Sequence, residues 1–373
     1  MKQLDIKIVT CHDVYNFGAS LQVFALQTYL ERLGHHVQVV DYKPPYQPPR
    51  HTRLFAIDRS KKRLVGFAQM LYRLPRRFSH IGRNRRFRQF TTSYLHLTSE
   101  CYDKQRLLSS NIDADVFIAG SDQIWNCMYP TGRDTVFYLG FVNSDAKKVA
   151  YAPSISINNI ESRWEPIYQK HLPAFDFVSV REKSSIPFLK RMGREDVEVV
   201  CDPVLLFSAQ EWSDIFPFRS FVKDSYLLVY DFDDNHQIAA IARSISKAEG
   251  LKIINISIDT LRGLGTKLRN IGPKEFLSLL WGASFVVSSS YHATLFSLLF
   301  HKRFCVVRRD LDINLRLEDL LEDYGYGSRI VSEYHSSLLD EIDYQQVDIK
   351  MQALIASSKD FLARALNSSS ENA

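Results

Sequence analysis

The sequence lacks the features that announce a membrane-spanning, secreted or metal-binding chain. No apolar run reaches the roughly 18 residues needed to span a bilayer. The start, MKQLDIKIVTCHD, passes from charged residues straight into a short strand-like run, without the apolar stretch or small-residue cleavage site of a signal peptide. A cytoplasmic protein is therefore expected. Cysteine is sparse: Cys11, Cys101, Cys127, Cys201 and Cys305 are scattered, with no C-x-x-C pair to suggest a zinc knuckle or redox motif. Cys11, Cys201 and Cys305 abut apolar runs and read as small reduced hydrophobes. The 11 histidines show no H-E-x-x-H or similar metal spacing. No repeat with a period of roughly 20 to 50 residues is visible, and no nucleic-acid-binding module accompanies the basic residues, so nucleic acid is not an expected partner.

What is present is an uneven charge and a regular alternation of elements. The net charge of +5 hides a segment, Arg50 to Arg88, that holds 13 Lys or Arg against one acid, Asp58. Outside it the chain is acidic. Before this segment, IKIVT, ASLQVFALQTYLERLG and HHVQVVDY read as strand, helix and strand, with Gly34 where a C-cap glycine falls. That is a βαβ opening, the start of a parallel sheet covered by helices. YKPPYQPP then breaks regular structure. The basic segment follows as one or two amphipathic helices inserted on the sheet, at about 48–95.

Strand-like runs resume in ADVFIAG, KKVAYAPSIS, FDFVSVREKSS and VEVVCDPVLLF, each ending in polar residues. After Phe207 the pattern restarts with SYLLVYDF, a helix closed by Gly250, LKIINIS, GPKEFLSLLWGA, SFVVSSS, ATLFSLLFH and RFCVV. The expected organisation is two Rossmann-like α/β domains, 1–207 and 208–345, then a C-terminal helix and tail over 346–373. Open α/β sheets bind ligands at the carboxyl ends of their strands.

Read in order, NFGASLQVFALQTYLERLGHHVQVVDY, GSDQIWN, YAPSI, SVREKSS, DPVLLFSAQEW, GPKEFLSLLWGASFVVSSSYHATLFSLLFHKRF and NLRLEDLL resemble the polysaccharide pyruvyl transferase family. The resemblance covers most of the chain outside the basic insertion. It implies a fold similar to the two-domain B-type glycosyltransferases, with a site in the cleft between the halves. It implies transfer of pyruvate from phosphoenolpyruvate to two hydroxyls of a sugar, giving a cyclic ketal and phosphate, with no cofactor. One departure stands out: Ser290-Tyr291-His292-Ala293 occupies the place of the Ser-Phe-His-Gly common in the family.

The chemistry assigns expectations to individual residues. A donor carrying a carboxylate and a phosphate needs fixed cations and convergent N–H groups, and arginine serves both. Arg181, after the strand FDFVSV, is the first candidate clamp, or an ion-pair partner of Glu182. Arg308, Lys274, Ser290 and Tyr291 are further donor-side candidates. Proton delivery to the enol carbon calls for a group that titrates near neutrality, and His292 sits at a βα turn where helix N–H groups collect. Its alternative is a helix-capping histidine packed under a loop. On the acceptor side the candidates are Asn16 and Gly18, the latter expected at positive φ in the loop after the first strand, with Ser121, Gln123, Trp125 and Asn126. Asp122 is either the base for an acceptor hydroxyl or a turn cap, and Trp125 either a sugar plate or a core anchor.

The basic segment, with Leu64, Phe67, Met70, Leu71, Leu74 and Phe78 interleaved, is a solvated face or an Arg-rich surface for an anionic leaflet. The second would put the protein on the inner face of the membrane, acting on a polysaccharide or lipid-linked oligosaccharide precursor. Two other functions stay open: a nucleotide-sugar glycosyltransferase of the same fold, and a non-catalytic homologue that binds glycans or membranes.

Overall fold

The computed structural model describes residues 2–46, 78–143, 145–156, 160–258, 260–309 and 314–368. The first half runs β1 (Asp5–Val9), α1 (Phe17–Arg32), β2 (His36–Tyr42), α2 (Ile81–Tyr94), β3 (Leu97–Tyr102), α3 (Lys104–Ser109), β4 (Val116–Ala119), β5 (Lys147–Ala150), α4 (Glu165–His171), β6 (Phe177–Val180), α5 (Ile186–Arg191) and β7 (Val197–Val199). Its strands form one parallel sheet in the order β3-β2-β1-β4-β5-β6-β7. Helix α6 (Ala209–Ile215) follows, opened by a capping box between Ser208 and Glu211.

The second half runs β8 (Tyr226–Tyr230), α7 (His236–Glu249), β9 (Lys252–Asn255), β10 (Thr266–Lys267), α8 (Pro273–Gly282), β11 (Phe285–Ser288), α9 (Tyr291–Leu299), β12 (Arg303–Val307), α10 (Leu315–Tyr324), β13 (Ile330–Val331) and α11 (Tyr344–Asn367). Its parallel sheet is ordered β10-β9-β8-β11-β12-β13. Both sheets therefore run outward and then reverse beside their first strand, the doubly wound pattern whose reversal point opens a ligand crevice. These are two Rossmann-like domains of the B-type glycosyltransferase architecture.

The strands form where the sequence supplies runs buried on both faces. VFIA, YLLVY and FVVS are buried at every position, as parallel strands sandwiched between helices require. Gly250 closes α7 in the left-handed region at φ 67°, and Gly34 does the same just past α1 at φ 92°.

One apolar core joins the domains. Phe17 at the start of α1 stacks on Phe276 of α8 at 4.6 Å and lies 5.3 Å from Tyr230. Phe24 packs on Trp212 and Phe216 at 6.0 and 5.1 Å. Helix α11 straddles both halves. Near its beginning Tyr344 stacks on His301 at 4.4 Å. Further along, Ser358 Oγ accepts the Cys201 N–H at 2.7 Å, and Lys147 Nζ donates to Ala365 O at 2.9 Å.

The expectation of helices across the basic insertion falls partly on residues 47–77, which lie outside the described residues. Beyond them, α2 buries Phe87 and Phe90 while leaving Phe78 and Ile81, near its start, exposed. Among the described residues no helix is long and apolar enough to cross a membrane.

Candidate functional site

The ends of β6 and β11 deliver their side chains to one place. Arg181 follows β6 directly and has no exposed side-chain surface. Its Nη1 donates to Asp202 Oδ2 at 2.7 Å and lies 3.5 Å from Ser121 Oγ. Asp122 Oδ1 stands 3.6 Å from Nη2, and Glu182 Oε2 3.8 Å from Nε. Nε and Nη2 themselves carry no hydrogen bond among the described residues. A buried guanidinium whose side-on fork has carboxylates nearby but no hydrogen bond is an incomplete anion site, because buried donors without hydrogen bonds are costly.

Asp202 holds this centre together. It follows β7, caps the turn Pro203–Leu206 by accepting the Val204 N–H at 3.2 Å, and is fully buried. The same Oδ2 that takes Arg181 stands 3.4 Å from His292 Nε2 of the other domain. Burial would raise this carboxyl, but His292, Arg181 and the Val204 N–H together hold it well below the ordinary carboxylate range. Asp202 is therefore an anion tying a cation of the first domain to an imidazole of the second.

His292 lies in the first turn of α9. Ser290 is the N-cap, its Oγ accepting the Ala293 N–H at 3.3 Å. Ser289 Oγ donates to buried Asp231 at 2.8 Å, which fixes the turn. The capping role foreseen as the alternative for His292 thus belongs to Ser290. The imidazole instead packs on Gly18 of α1, where an added Cβ would sit 2.0 Å from His292 Nδ1.

Tyr291 carries the second cation. Arg181 Cζ lies 4.5 Å from its ring centroid and Arg316 Cζ, from α10, 5.2 Å. Burial, then the Arg181 charge, pushes Arg316 down to about 10, so it is still protonated at neutral pH. Its Nε has no partner among the described residues. Arg181 is held more firmly charged than usual: burial opposes the charge, but Asp202, Tyr291, Asp122 and Glu182 outweigh it. Two guanidiniums with unpaired donors flank one aromatic ring, beside an imidazole and a buried carboxylate.

Residues 16–310 match the family described as polysaccharide pyruvyl transferase. The chain belongs to the polysaccharide pyruvyl transferase family. No curated protein matches it. Among solved structures it is similar to a Listeria monocytogenes protein assigned as a UDP-N-acetylglucosamine 2-epimerase, at 9% identity and a TM-score of 0.52, over 98% of this chain and 91% of that one. It is also similar to the Methanocaldococcus jannaschii UDP-GlcNAc 2-epimerase (11% identity, TM-score 0.49, 98% and 99% covered). A third likeness is to the spinosyn rhamnosyltransferase SpnG (10% identity, TM-score 0.45, 98% and 100% covered). At these identities the first likeness speaks to the fold alone.

Several residues expected at the site of this pyruvyl transferase family member stand elsewhere. Gly18 is not a loop residue at positive φ: α1 begins at Phe17, and the glycine is helical, its missing side chain making room for His292. Asn16 is the N-cap of α1, its Oδ1 accepting the Ala19 N–H at 3.2 Å. Trp125 is a core anchor and offers no plate to a sugar. It is fully buried, stacked on Tyr138 at 5.4 Å, with its indole N–H on Phe137 O at 3.0 Å. Asn126 is buried as well, its Oδ1 accepting the Met128 N–H.

On the donor side, Lys274 is exposed and reaches Tyr94 Oη at 3.2 Å, while Arg308 pairs with Glu318 at 2.8 Å on the surface. Neither joins the cluster. Ser121, Asp122, Arg181, Tyr291 and His292 do, with Ser290 holding the turn. The loop after β4 also carries strain: Asp122 has φ 78°, held by its backbone bridge to Pro153 and by Ser154 N–H donating to its carbonyl at 2.8 Å. Gln123, in the same loop, leaves its buried Nε2 unpaired among the described residues.

Sequence reasoning passed over Asp202, Glu182 and Arg316 as site residues. A weak signal existed for each. Asp202 is a carboxylate placed directly after a buried run, Glu182 neighbours the expected clamp, and Arg316 is the one cation within LRLEDLLEDY.

Proposed function

We propose that this protein transfers the pyruvyl unit of phosphoenolpyruvate to two hydroxyls of a sugar, forming a cyclic ketal and releasing phosphate. The observation that carries the reading is the Arg181–Tyr291–Arg316 stack with unpaired buried donors, set against the Asp202–His292 pair. Two fixed cations suit a small molecule bearing both carboxylate and phosphate. His292 delivers a proton to the enol carbon as the first hydroxyl adds to the neighbouring carbon. The second hydroxyl then replaces phosphate there. Asp122, one-fifth exposed at the mouth of the cluster, is the candidate base for an acceptor hydroxyl. The charge of Arg50 to Arg88 supports an anionic membrane surface as the place of work, with a surface-polysaccharide or lipid-linked precursor as acceptor.

Thermal unfolding with phosphoenolpyruvate, and separately with a panel of nucleotide sugars, tests this reading in wild type and Arg181→Ala. A ligand at about 100 times its Kd adds roughly 2.7 kcal/mol to stability. The expected result is stabilisation by phosphoenolpyruvate, absent in Arg181→Ala when each protein is compared with its own ligand-free baseline. Stabilisation by a nucleotide sugar instead would make the protein a glycosyltransferase of the same fold.

A further inference from the structure

The charges around His292 can be counted, and the count does not balance. Asp202 faces the imidazole at 3.4 Å, and Arg181 shares that carboxylate oxygen. Asp122 and Glu182 stand 3.6 and 3.8 Å from Arg181. Arg316 also lies over the Tyr291 ring, at 5.2 Å from its centroid. Tyr291 stays neutral, because burial pushes its phenol up despite the Arg181 charge. From α1, the uncharged Gly18 packs against the imidazole ring. Among the groups paired with Arg181 or His292, or lying over the Tyr291 ring, two guanidiniums thus face three carboxylates. With a neutral imidazole the cluster carries a net negative charge, and with a protonated one it is neutral.

Phosphoenolpyruvate brings a carboxylate and a phosphate that is close to doubly ionised at pH 7. An anion of that charge entering a largely buried cluster that is already negative meets repulsion unless a proton enters too. Asp202 is already paired with Arg181 at 2.7 Å and accepts the Val204 N–H at 3.2 Å, contacts that favour its charged form even beside a neutral imidazole. Arginines do not exchange protons in this range. Histidine does.

We propose that binding of phosphoenolpyruvate is coupled to uptake of one proton by His292, and that this proton is the one delivered to the enol carbon. The inference rests on the pyruvyl-donor reading. The step balances as follows. The imidazolium N–H bond breaks as the new C–H bond forms, turning the methylene into a methyl group. The first hydroxyl oxygen bonds to the adjacent carbon and its proton restores the imidazolium. The second hydroxyl oxygen, its proton passing by way of Asp122 to the departing phosphate, then replaces the phosphate oxygen there. Phosphate departs as hydrogenphosphate, taking one proton, and the imidazolium returns to neutral only when the site empties. Proton uptake on binding also means that affinity falls as pH rises, by up to tenfold per pH unit for one proton.

Isothermal titration of phosphoenolpyruvate into the full-length protein, in HEPES and in Tris at pH 7.5, counts the protons. At that pH a free phosphate monoester is already mostly dianionic, so the ligand contributes few of its own. The expected result is uptake approaching one proton in wild type and near zero in His292→Gln. Binding without proton uptake overturns this inference and leaves the donor reading standing. Unchanged uptake in His292→Gln overturns the assignment to His292. Where that variant does not fold or bind, the wild-type Kd from pH 7 to 9 decides: a rise toward tenfold per unit supports the coupling, and a flat profile refutes it. Absence of phosphoenolpyruvate binding removes both the inference and the reading beneath it.

Discussion

Replacing Asp202 by Asn isolates the anion that ties the two domains' functional groups together. The carboxylate is fully buried and serves Arg181 Nη1 at 2.7 Å, His292 Nε2 at 3.4 Å and the Val204 N–H at 3.2 Å. Removing one partner of a buried ion pair typically costs about 3 to 5 kcal/mol, because the remaining charge keeps its desolvation penalty without its counter-ion. Here Asp122 and Glu182 stay within 4 Å of Arg181 and offset part of that loss, so about 3 kcal/mol is expected. The pH dependence has a definite sign. Asp202 has a lowered carboxyl pKa in the folded protein, so its stabilisation is present above the unfolded value of about 3.9 and fades as pH falls below it. Urea unfolding of wild type and Asp202→Asn at several pH values reads this directly. The difference in unfolding free energy should be level from neutral pH to about pH 4, then narrow in more acid solution. A difference below about 1 kcal/mol, or one that does not narrow in acid, would refute the view of Asp202 as a buried charge keystone.

Three further outcomes follow from the geometry. Gly18→Ala puts a methyl group 2.0 Å from His292 Nδ1, so the imidazole must move; a rate loss of about 10² or more is expected, while phosphoenolpyruvate binding through Arg181 and Arg316 largely persists, as single-turnover and binding assays would show. Lys274→Ala, on an exposed side chain that touches Tyr94, should leave the phosphoenolpyruvate-induced stabilisation within error of wild type. Trp125→Phe loses the indole hydrogen bond to Phe137 and some packing, so it should lower Tm by several degrees without changing the KM for any acceptor.

Much of the fold was legible because parallel strands covered on both faces leave a plain signal. VFIA, YLLVY and FVVS are continuous apolar runs, and each became a buried strand. The strand LTSECY gave little notice, since it lies at the sheet edge with half of its residues exposed and only Tyr102 buried. The ordered motifs carried the family assignment, and the turn at His292 was readable as a strand meeting a helix.

Gly18 and Trp125 were misread because packing that the adjacent residues do not announce sets their surroundings. A glycine after a strand ordinarily suggests a backbone turn, and nothing local to NFGAS says that an imidazole from the other domain will occupy the space of its missing side chain. Trp125 beside Ser121 and Asp122 has the composition of a sugar site, yet Tyr138 and Phe137 enclose it. Asp202 looks like a turn cap and is one through Val204, while its second oxygen joins Arg181 to His292. The functional centre is therefore a property of the domain junction. Its cations come from β6 and α10, its imidazole from α9, its carboxylate from the segment between the sheets, and its clearance from α1. A perturbation that shifts one domain against the other should act on His292 before it acts on either sheet, because His292 reaches across the junction to Asp202 and Gly18.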